Sequence, residues 1–232
     1  MRTIAIMQAR MGSARLPGKS LKAVAGAPMV LRVLERAALI PGIDGLVVAT
    51  SLSDLDDAIA ETVARSGFAC VRGSEWDVLD RFHDAAEVTR ADVIVRVTGD
   101  CPLLDPVVGG RVIEMFHANQ PRVDYASNDT ARSGFPDGTD VEVFSRLALT
   151  MARAKGMERH DREHVTRWMR RNLTGMTLAH HSDWSRMKWS VDCEDDLSRV
   201  RAIYGELAQG SMDVAFTYDA ALKVEAREGV RV

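Results

Sequence analysis

A chain of 232 residues, 46% hydrophobic and 27% charged, has the balance of a soluble globular protein long enough to bury a sizeable core. Its formal net charge of −3 gives no bulk electrostatic case for nucleic acid or an anionic membrane as a partner. Three cysteines (Cys70, Cys101 and Cys193), far apart and without a CxxC pair, argue for a reducing compartment and against a disulfide framework or a zinc cluster. The N-terminal apolar run is too short for a signal peptide, and no run approaches the ~20 apolar residues of a membrane helix. The expected location is the cytoplasm.

Residues 3–7 read as a first strand. Residues 8–21, QARMGSARLPGKSL, follow it with Arg10, Arg15 and Lys19 and no acidic residue. Gly12 and Gly18 allow a tight turn and a close backbone approach to a ligand. Guanidinium forks, an ammonium and backbone N–H donors together suit a triphosphate. The loop is not a Walker A motif, because its glycines are six apart, although Gly18, Lys19 and Ser20 fit that motif's last three positions. Taken alone, it is also compatible with a basic surface turn that binds nothing.

Apolar residues at helical spacing predict a helix over 29–40, with Pro28 suited to its first turn. Residues 45–50, GLVVAT, read as a buried parallel strand. Ser53 is expected to cap a helix ending near Gly67, followed by a strand at 68–71. A helix over 76–88, a strand over 92–97 and a helix from Asp105 to Asn119 complete the pattern. This alternation predicts a parallel sheet covered by helices. Further on, the sequence predicts strands at 124–127 and 140–144, with a Gly- and Pro-containing loop over 130–139 between them. Helices follow at 146–155, capped by Ser145, and at 162–171. Strands at 176–180 and 187–191 and helices at 193–207 and 218–227 close the chain. The expected organisation is one domain over 1–232, with a small irregular elaboration around 128–185.

Two further stretches carry chemistry. In RVTGDCPLLDP (96–106) a strand ends, a glycine turns, and Asp100 stands at the carboxyl end of the sheet, where open α/β sheets bind ligands. An Asx turn or a helix cap is the plainer account of that aspartate. In WSVDCEDDL (189–197), Asp192 ends a strand just before a helix. Glu194, Asp195 and Asp196 are explained as first-turn carboxylates favoured by the helix dipole. Two carboxylates at strand ends, opposite a basic loop, can hold Mg²⁺ against a nucleotide. Cys101 and Cys193 each follow one of these aspartates and are read as small buried residues.

These three stretches, in this order and at these separations, resemble the cytidylyltransferase family that makes CMP-activated acidic sugars, such as the KDO and acylneuraminate cytidylyltransferases. The likeness extends to the spore coat polysaccharide biosynthesis protein SpsF branch, with RGSEWDVLDRF (72–82) and REHVTRWMRRN (162–172) in support. It covers about residues 1–205. The resemblance implies a Rossmann-like nucleotide-diphospho-sugar transferase fold, with CTP across the carboxyl ends of the strands. It implies that Gln8, Ala9, Arg10, Gly12 and Ser13 flank the base and phosphates, and that Arg15 and Lys19 hold the β- and γ-phosphates. Asp100 and Asp192 match the magnesium aspartates. Arg72, Gly73, Ser74 and Asp77 would enclose the cytidine, with Thr98 and Gly99 beside the nucleotide. The implied reaction is attack of a sugar hydroxyl on the α-phosphorus of CTP with release of pyrophosphate, in surface polysaccharide biosynthesis. The implied catalytic set is Arg15, Lys19, Asp100 and Asp192, with Mg²⁺ as cofactor and a homodimer as the assembly.

An acidic sugar needs cations and donors, and the second half supplies Arg132, Arg159, His160, Arg162 and His164. His160 and His164 are i, i+4 with Glu163 between them. HDREH is not H-E-x-x-H, however, and without an evident third ligand a salt-bridged helix start is the preferred reading. Thr98 stands where KDO enzymes carry glutamine, which bears on both base selection and the sugar. Two alternatives compete. A glycosyltransferase using a nucleotide sugar would carry Asp-x-Asp at the strand end, where this chain has Gly99-Asp100-Cys101. A non-catalytic nucleotide-binding homologue would not need every phosphate and metal residue, and all are present.

Overall fold

The computed structural model describes residues 1–129, 133–207 and 218–227. In chain order the elements are β1 (Thr3–Gln8), the short strands β2 (Ala23–Val24) and β3 (Ala27–Pro28), α1 (Met29–Ala37), β4 (Gly45–Ser51), α2 (Asp57–Arg65), β5 (Ala69–Gly73), α3 (Val78–Thr89), β6 (Val93–Thr98) and α4 (Pro106–Ala118). There follow β7 (Tyr125–Ser127), β8 (Glu142–Ser145), α5 (Arg146–Lys155), α6 (Arg159–Glu163), α7 (Arg167–Asn172), β9 (Gly175–Thr177), α8 (Glu194–Leu207) and α9 (Tyr218–Arg227).

Seven strands form one sheet in the order β5-β4-β1-β6-β8-β7-β9. The first four are parallel, β8 runs antiparallel to both β6 and β7, and β9 is parallel to β7. The expected mostly parallel α/β sheet is therefore present. β1 lies inside it, between β4 and β6, and its side chains alternate between two packed faces. Ala5 and Met7 pack with Val30 and Leu34 of α1 and Val112 and Phe116 of α4. Ile4 and Ile6 pack with Leu79 and Phe82 of α3 and Leu149 of α5. A third cluster joins Leu16, Met29, Leu103, Trp189, Val191 and Tyr204, and so fastens α8 beneath the ligand edge of the sheet.

The register of β1 and β6 fixes that edge. Gln8 pairs with Thr98, and Gly99 N–H donates to the Gln8 carbonyl at 2.8 Å. A Cβ at Gly99 would meet that carbonyl at 2.8 Å and the Ala9 Cβ at 3.1 Å, so only glycine lets the two chains leave the sheet side by side. The loop after β1 and the Asp100 turn therefore emerge together.

Several local expectations change. Ser53 makes no side-chain cap; a 3₁₀ turn at Asp54–Asp56 precedes α2 instead. Ser145 and Asp105 do cap, accepting from Ala148 N and from Val107 N and Val108 N. The single helix expected over 162–171 is two short ones, α6 and α7, broken where Val165 adopts φ 40°. The strand expected at 187–191 is an extended segment with one isolated bridge, Lys188 to Asp137. Its anchors are Trp189 N to the Asp137 carbonyl (2.7 Å) and Val191 N to the Asp100 carbonyl (2.9 Å). The 128–185 stretch contributes β8 and β9 to the same sheet.

Gly138 makes the 187–191 anchor possible. It sits at φ 97°, and an added Cβ would collide with the backbone of Trp189 and Ser190. Gly138→Ala is expected to destabilise the fold by about 2–3 kcal/mol, roughly 4–12 °C in Tm for a chain of this length. A thermal melt checks this; an unchanged Tm would mean that the segment moves freely away.

Candidate active site

The loop after β1 is tied down at both ends by its own chemistry. Met11 N–H donates to the buried carboxylate of Asp56 at 2.7 Å, and Asp56 also accepts from Ser51 N at 3.1 Å at the end of β4. Ser20 Oγ donates to the Arg10 carbonyl at 3.1 Å, and Gly18 turns in the left-handed region at φ 69°. These contacts aim Lys19 inward. Its Nζ donates to Asp100 Oδ2 at 2.9 Å, to the Val191 carbonyl at 2.7 Å and to Asp192 Oδ1 at 3.3 Å. Arg15 reaches Asp192 Oδ2 at 3.0 Å from the exposed side. Sequence positions 19, 100 and 192 thus meet at one point.

The Asp192 end is held by α8. Asp196 accepts from Asp192 N at 2.9 Å and Cys193 N at 3.0 Å, which is the first-turn role expected of an acidic residue there. Lys188 Nζ lies 3.1 Å from Asp192 Oδ2 and 2.7 Å from Asp196 Oδ2. Partial burial would raise the Asp192 pKa, but the Lys188 hydrogen bond and the Lys19 charge outweigh it and hold the carboxyl below its ordinary value. Asp192 is ionised at neutral pH. Burial and the neighbouring Asp100 charge push the Cys101 thiol well up, so it is a protonated, inert packing group.

These groups line a cavity of about 920 Å³. One wall is the loop: Gln8, Ala9, Arg10, Gly12, Ser13, Arg15 and Lys19, with Thr98, Gly99 and Asp100 beside it. Val78 and Arg81 of α3 line the cavity as well. Arg81 is 1% exposed, burial lowers its pKa to about 10, and Nη1 donates to the Ser74 carbonyl at 2.9 Å. It remains a cation at neutral pH. The facing wall is cationic: Arg96 of β6, His164, and Arg167, Arg170 and Arg171 of α7.

Behind that wall lies a buried network centred on Glu142 of β8. Its carboxylate accepts from Tyr125 Oη at 2.5 Å, Thr166 Oγ1 at 2.7 Å and Arg170 Nε at 3.2 Å, and pairs with Arg96. Burial alone would raise the Glu142 pKa. Arg96 and Arg170 reverse that and bring it to about 2. Arg96 Nε also donates to Gln8 Oε1 at 3.2 Å, joining the network to the loop. Asp129, Asp137 and Asp140 line the same space, and burial, then its two acidic neighbours, pushes the Asp140 carboxyl well above its ordinary value.

Of the nucleotide residues expected from the sequence, Gln8 to Lys19, Thr98, Gly99 and both aspartates come together. Arg72, Gly73, Ser74 and Asp77 are not among the cavity residues. Arg72 donates instead to the Ser51 and Ser53 carbonyls at 2.8 and 3.0 Å and pairs with Asp57, while Asp77 caps α3 and pairs with Arg162. Of the acceptor residues expected, His164 lines the cavity. Arg159, His160 and Arg162 do not, and Arg132 lies outside the described residues. Burial keeps His164 below its usual pKa. Arg81 and Arg96 stand in the motif stretches 72–82 and 96–106 without an expected role, and Glu142 lies outside the motifs. The likeness in REHVTRWMRRN contained Arg167, Arg170 and Arg171 without assigning them.

A family model described as Cytidylyltransferase matches residues 4–220. The chain is 32% identical over 209 residues to the spore coat polysaccharide biosynthesis protein SpsF of Bacillus subtilis, covering 86% of this chain and 85% of that one. It is 37% identical to the 3-deoxy-manno-octulosonate cytidylyltransferase of Maricaulis maris over about half of each chain (51% and 46%). Among solved structures, a cytidylyltransferase from Leptospira borgpetersenii superposes with a TM-score of 0.92 at 28% identity, covering 98% of this chain and 95% of that one. With the phosphate-type loop, the paired aspartates and the cationic wall set around one cavity, these matches establish that the chain belongs to the cytidylyltransferase family.

Proposed function

We propose that this cavity transfers CMP from CTP to a hydroxyl of an acidic sugar, releasing pyrophosphate, as a step in surface polysaccharide biosynthesis. The observation that carries this reading is the convergence of Lys19, Asp100 and Asp192 between a basic loop and an arginine-rich wall. The loop is assigned to the triphosphate. Arg15 and Lys19 offset the negative charge that builds on the departing pyrophosphate. Val78 and Arg81 are assigned to the base end, with the 72–77 stretch supporting them through the Ser74 carbonyl. The wall of Arg96, Arg167, Arg170 and Arg171 is assigned to the acceptor carboxylate, for which planar guanidinium forks are suited.

Asp100 and Asp192 share one ammonium as their common partner, so their carboxylates converge on a point where a hard divalent cation fits. These two residues would hold Mg²⁺, which when bound polarises the α-phosphate. Lys188 and Asp196 orient Asp192 from behind. The relatives' names give the polysaccharide context and the sugar-acid class. By the same family analogy the protein works in the cytoplasm as a homodimer. Among the described residues, no helix is long and apolar enough to cross a membrane.

The test is CTP binding with and without Mg²⁺, by calorimetry, in the wild type and in Asp192→Asn. Mg²⁺ should tighten CTP binding to the wild type, and Asp192→Asn should erase at least ~10-fold of that gain with its melting temperature little changed. Equal Mg²⁺ dependence in both proteins would remove Asp192 from the metal site. A nucleotide-sugar-dependent glycosyltransferase would instead bind the nucleotide sugar in preference to free CTP.

A further inference from the structure

We propose that His160, Glu163 and His164 form a second divalent-cation site, at the wall of the cavity and separate from the Asp100–Asp192 pair, and that it takes a borderline transition metal of the zinc class. A ligand atom from each of the three residues lies within 4.8 Å of the other two. The two imidazole rings stack nearly parallel, 5.9 Å apart with 15° between their planes. Among the described residues, neither ring has a protein hydrogen-bond partner.

The local fold explains why these three side chains meet. His160 and Glu163 belong to α6, and His164 N–H donates to the His160 carbonyl at 2.9 Å, which carries the turn one residue further. Spacings of i, i+3 and i+4 place all three on one face. The left-handed backbone of Val165 then ends the turn before α7 begins. The residue between the histidines thus supplies the third ligand, which the sequence pattern did not reveal.

The chemistry selects the ion. Imidazole nitrogen suits zinc, copper, nickel or cobalt, whereas magnesium prefers an all-oxygen shell. Two histidines and one carboxylate with remaining positions open is a known zinc ligand type. Glu163 is held only by a long contact to Arg10 at 3.5 Å, which a bound cation would replace. Three of the surrounding arginines are tied to other carboxylates: Arg162 to Asp77, Arg167 to Glu158 and Arg171 to Asp161, all at 2.9 Å. Glu163 and His164 both line the cavity, so an ion held there stands within reach of its contents.

Co²⁺ titration followed by visible d–d absorption tests the proposal directly, because nitrogen ligation at low coordination number gives an intense band and an all-oxygen octahedral shell a weak one. The wild type and an Asp100→Asn/Asp192→Asn double variant should each bind one equivalent with the intense band, displaced by Zn²⁺. His160→Gln and Glu163→Gln should each weaken binding by at least ~10-fold, and circular dichroism should show both variants folded. His160 is exposed, so its replacement leaves the core untouched. An absent band in the wild type, a band that survives His160→Gln and Glu163→Gln, or one lost in the aspartate double variant would each overturn the assignment. None of these readouts depends on the CTP reading.

Discussion

Lys19→Ala should lower kcat/KM for CTP by about 10²–10³-fold, the loss typical of removing one preorganised donor from developing negative charge. The side chain is only 13% exposed, and among the described residues its ammonium is the one side-chain group paired with both Asp100 and Asp192. Removing it deletes the cation nearest the proposed leaving pyrophosphate. It also leaves two carboxylates facing one another without their shared counter-charge. The loss should fall more heavily on CTP than on CMP, because a loop that grips the distal phosphates has little to offer a monophosphate. Steady-state kinetics together with CTP and CMP affinities will measure the difference. Equal weakening of the two nucleotides would mean that Lys19 serves only to hold the aspartates.

Glu142→Gln should destabilise the protein by about 3–5 kcal/mol at neutral pH, the range for breaking a buried ion pair from one side. The amide keeps the shape and can still accept hydrogen bonds, but the largely buried Arg96 and the partly exposed Arg170 then lose the charge they share. The sign of the pH dependence follows from the depressed pKa. Folded Glu142 titrates near 2, against an ordinary value of 4.5. Its contribution is complete above about 4.5 and is lost as the pH falls through about 2. The wild type should therefore shed roughly 3 kcal/mol more than the variant across that acid window, since the Asp192 and Asp196 pKa values are depressed in both proteins. Urea melts of both proteins from pH 7 down to pH 2 will show it. A penalty under 1 kcal/mol at pH 7 would mean that water or Asp129 already compensates the two guanidinium groups. Because Arg96 and Arg170 line the cavity, the variant should also weaken acceptor binding without altering CTP affinity to the same degree.

The parts of the site that were legible in the sequence are those whose signal is local. A basic glycine-containing loop after a strand, and an aspartate after a strand-ending glycine, each announce a turn at a sheet edge, and the β1–β6 register then brings them together. Asp192 was legible as a residue, but its setting was not. Alternation in WSV reads as a strand, while the backbone there is held by Asp137, by the Asp100 carbonyl and by the close approach of Gly138. A single bridge leaves the same alternating pattern as a full ladder.

The cationic wall was illegible for a different reason. Arg96 in a strand, and Arg167, Arg170 and Arg171 on a helix, look like ordinary solvated charge. Only the fold shows that Glu142, on the strand paired with β6 and directly opposite Arg96, lies behind Arg96 and Arg170. The break between α6 and α7 carries no glycine or proline; Val165 takes a left-handed conformation that a β-branched residue disfavours, so no punctuation marked it. Arg72 shows the opposite case. Its motif suggested the nucleotide, yet its guanidinium is directed to the Ser51 and Ser53 carbonyls and Asp57.

The most direct test of the central claim is a pyrophosphate-release assay with CTP and Mg²⁺ across a panel of acidic sugars, run on the wild type and on Asp100→Asn. The account predicts stoichiometric pyrophosphate and a CMP-sugar product with at least one acidic sugar, no release without an acceptor, and near-complete loss in Asp100→Asn. Wild-type rates in Asp100→Asn, or a CMP-sugar formed equally well from neutral sugars, would contradict it.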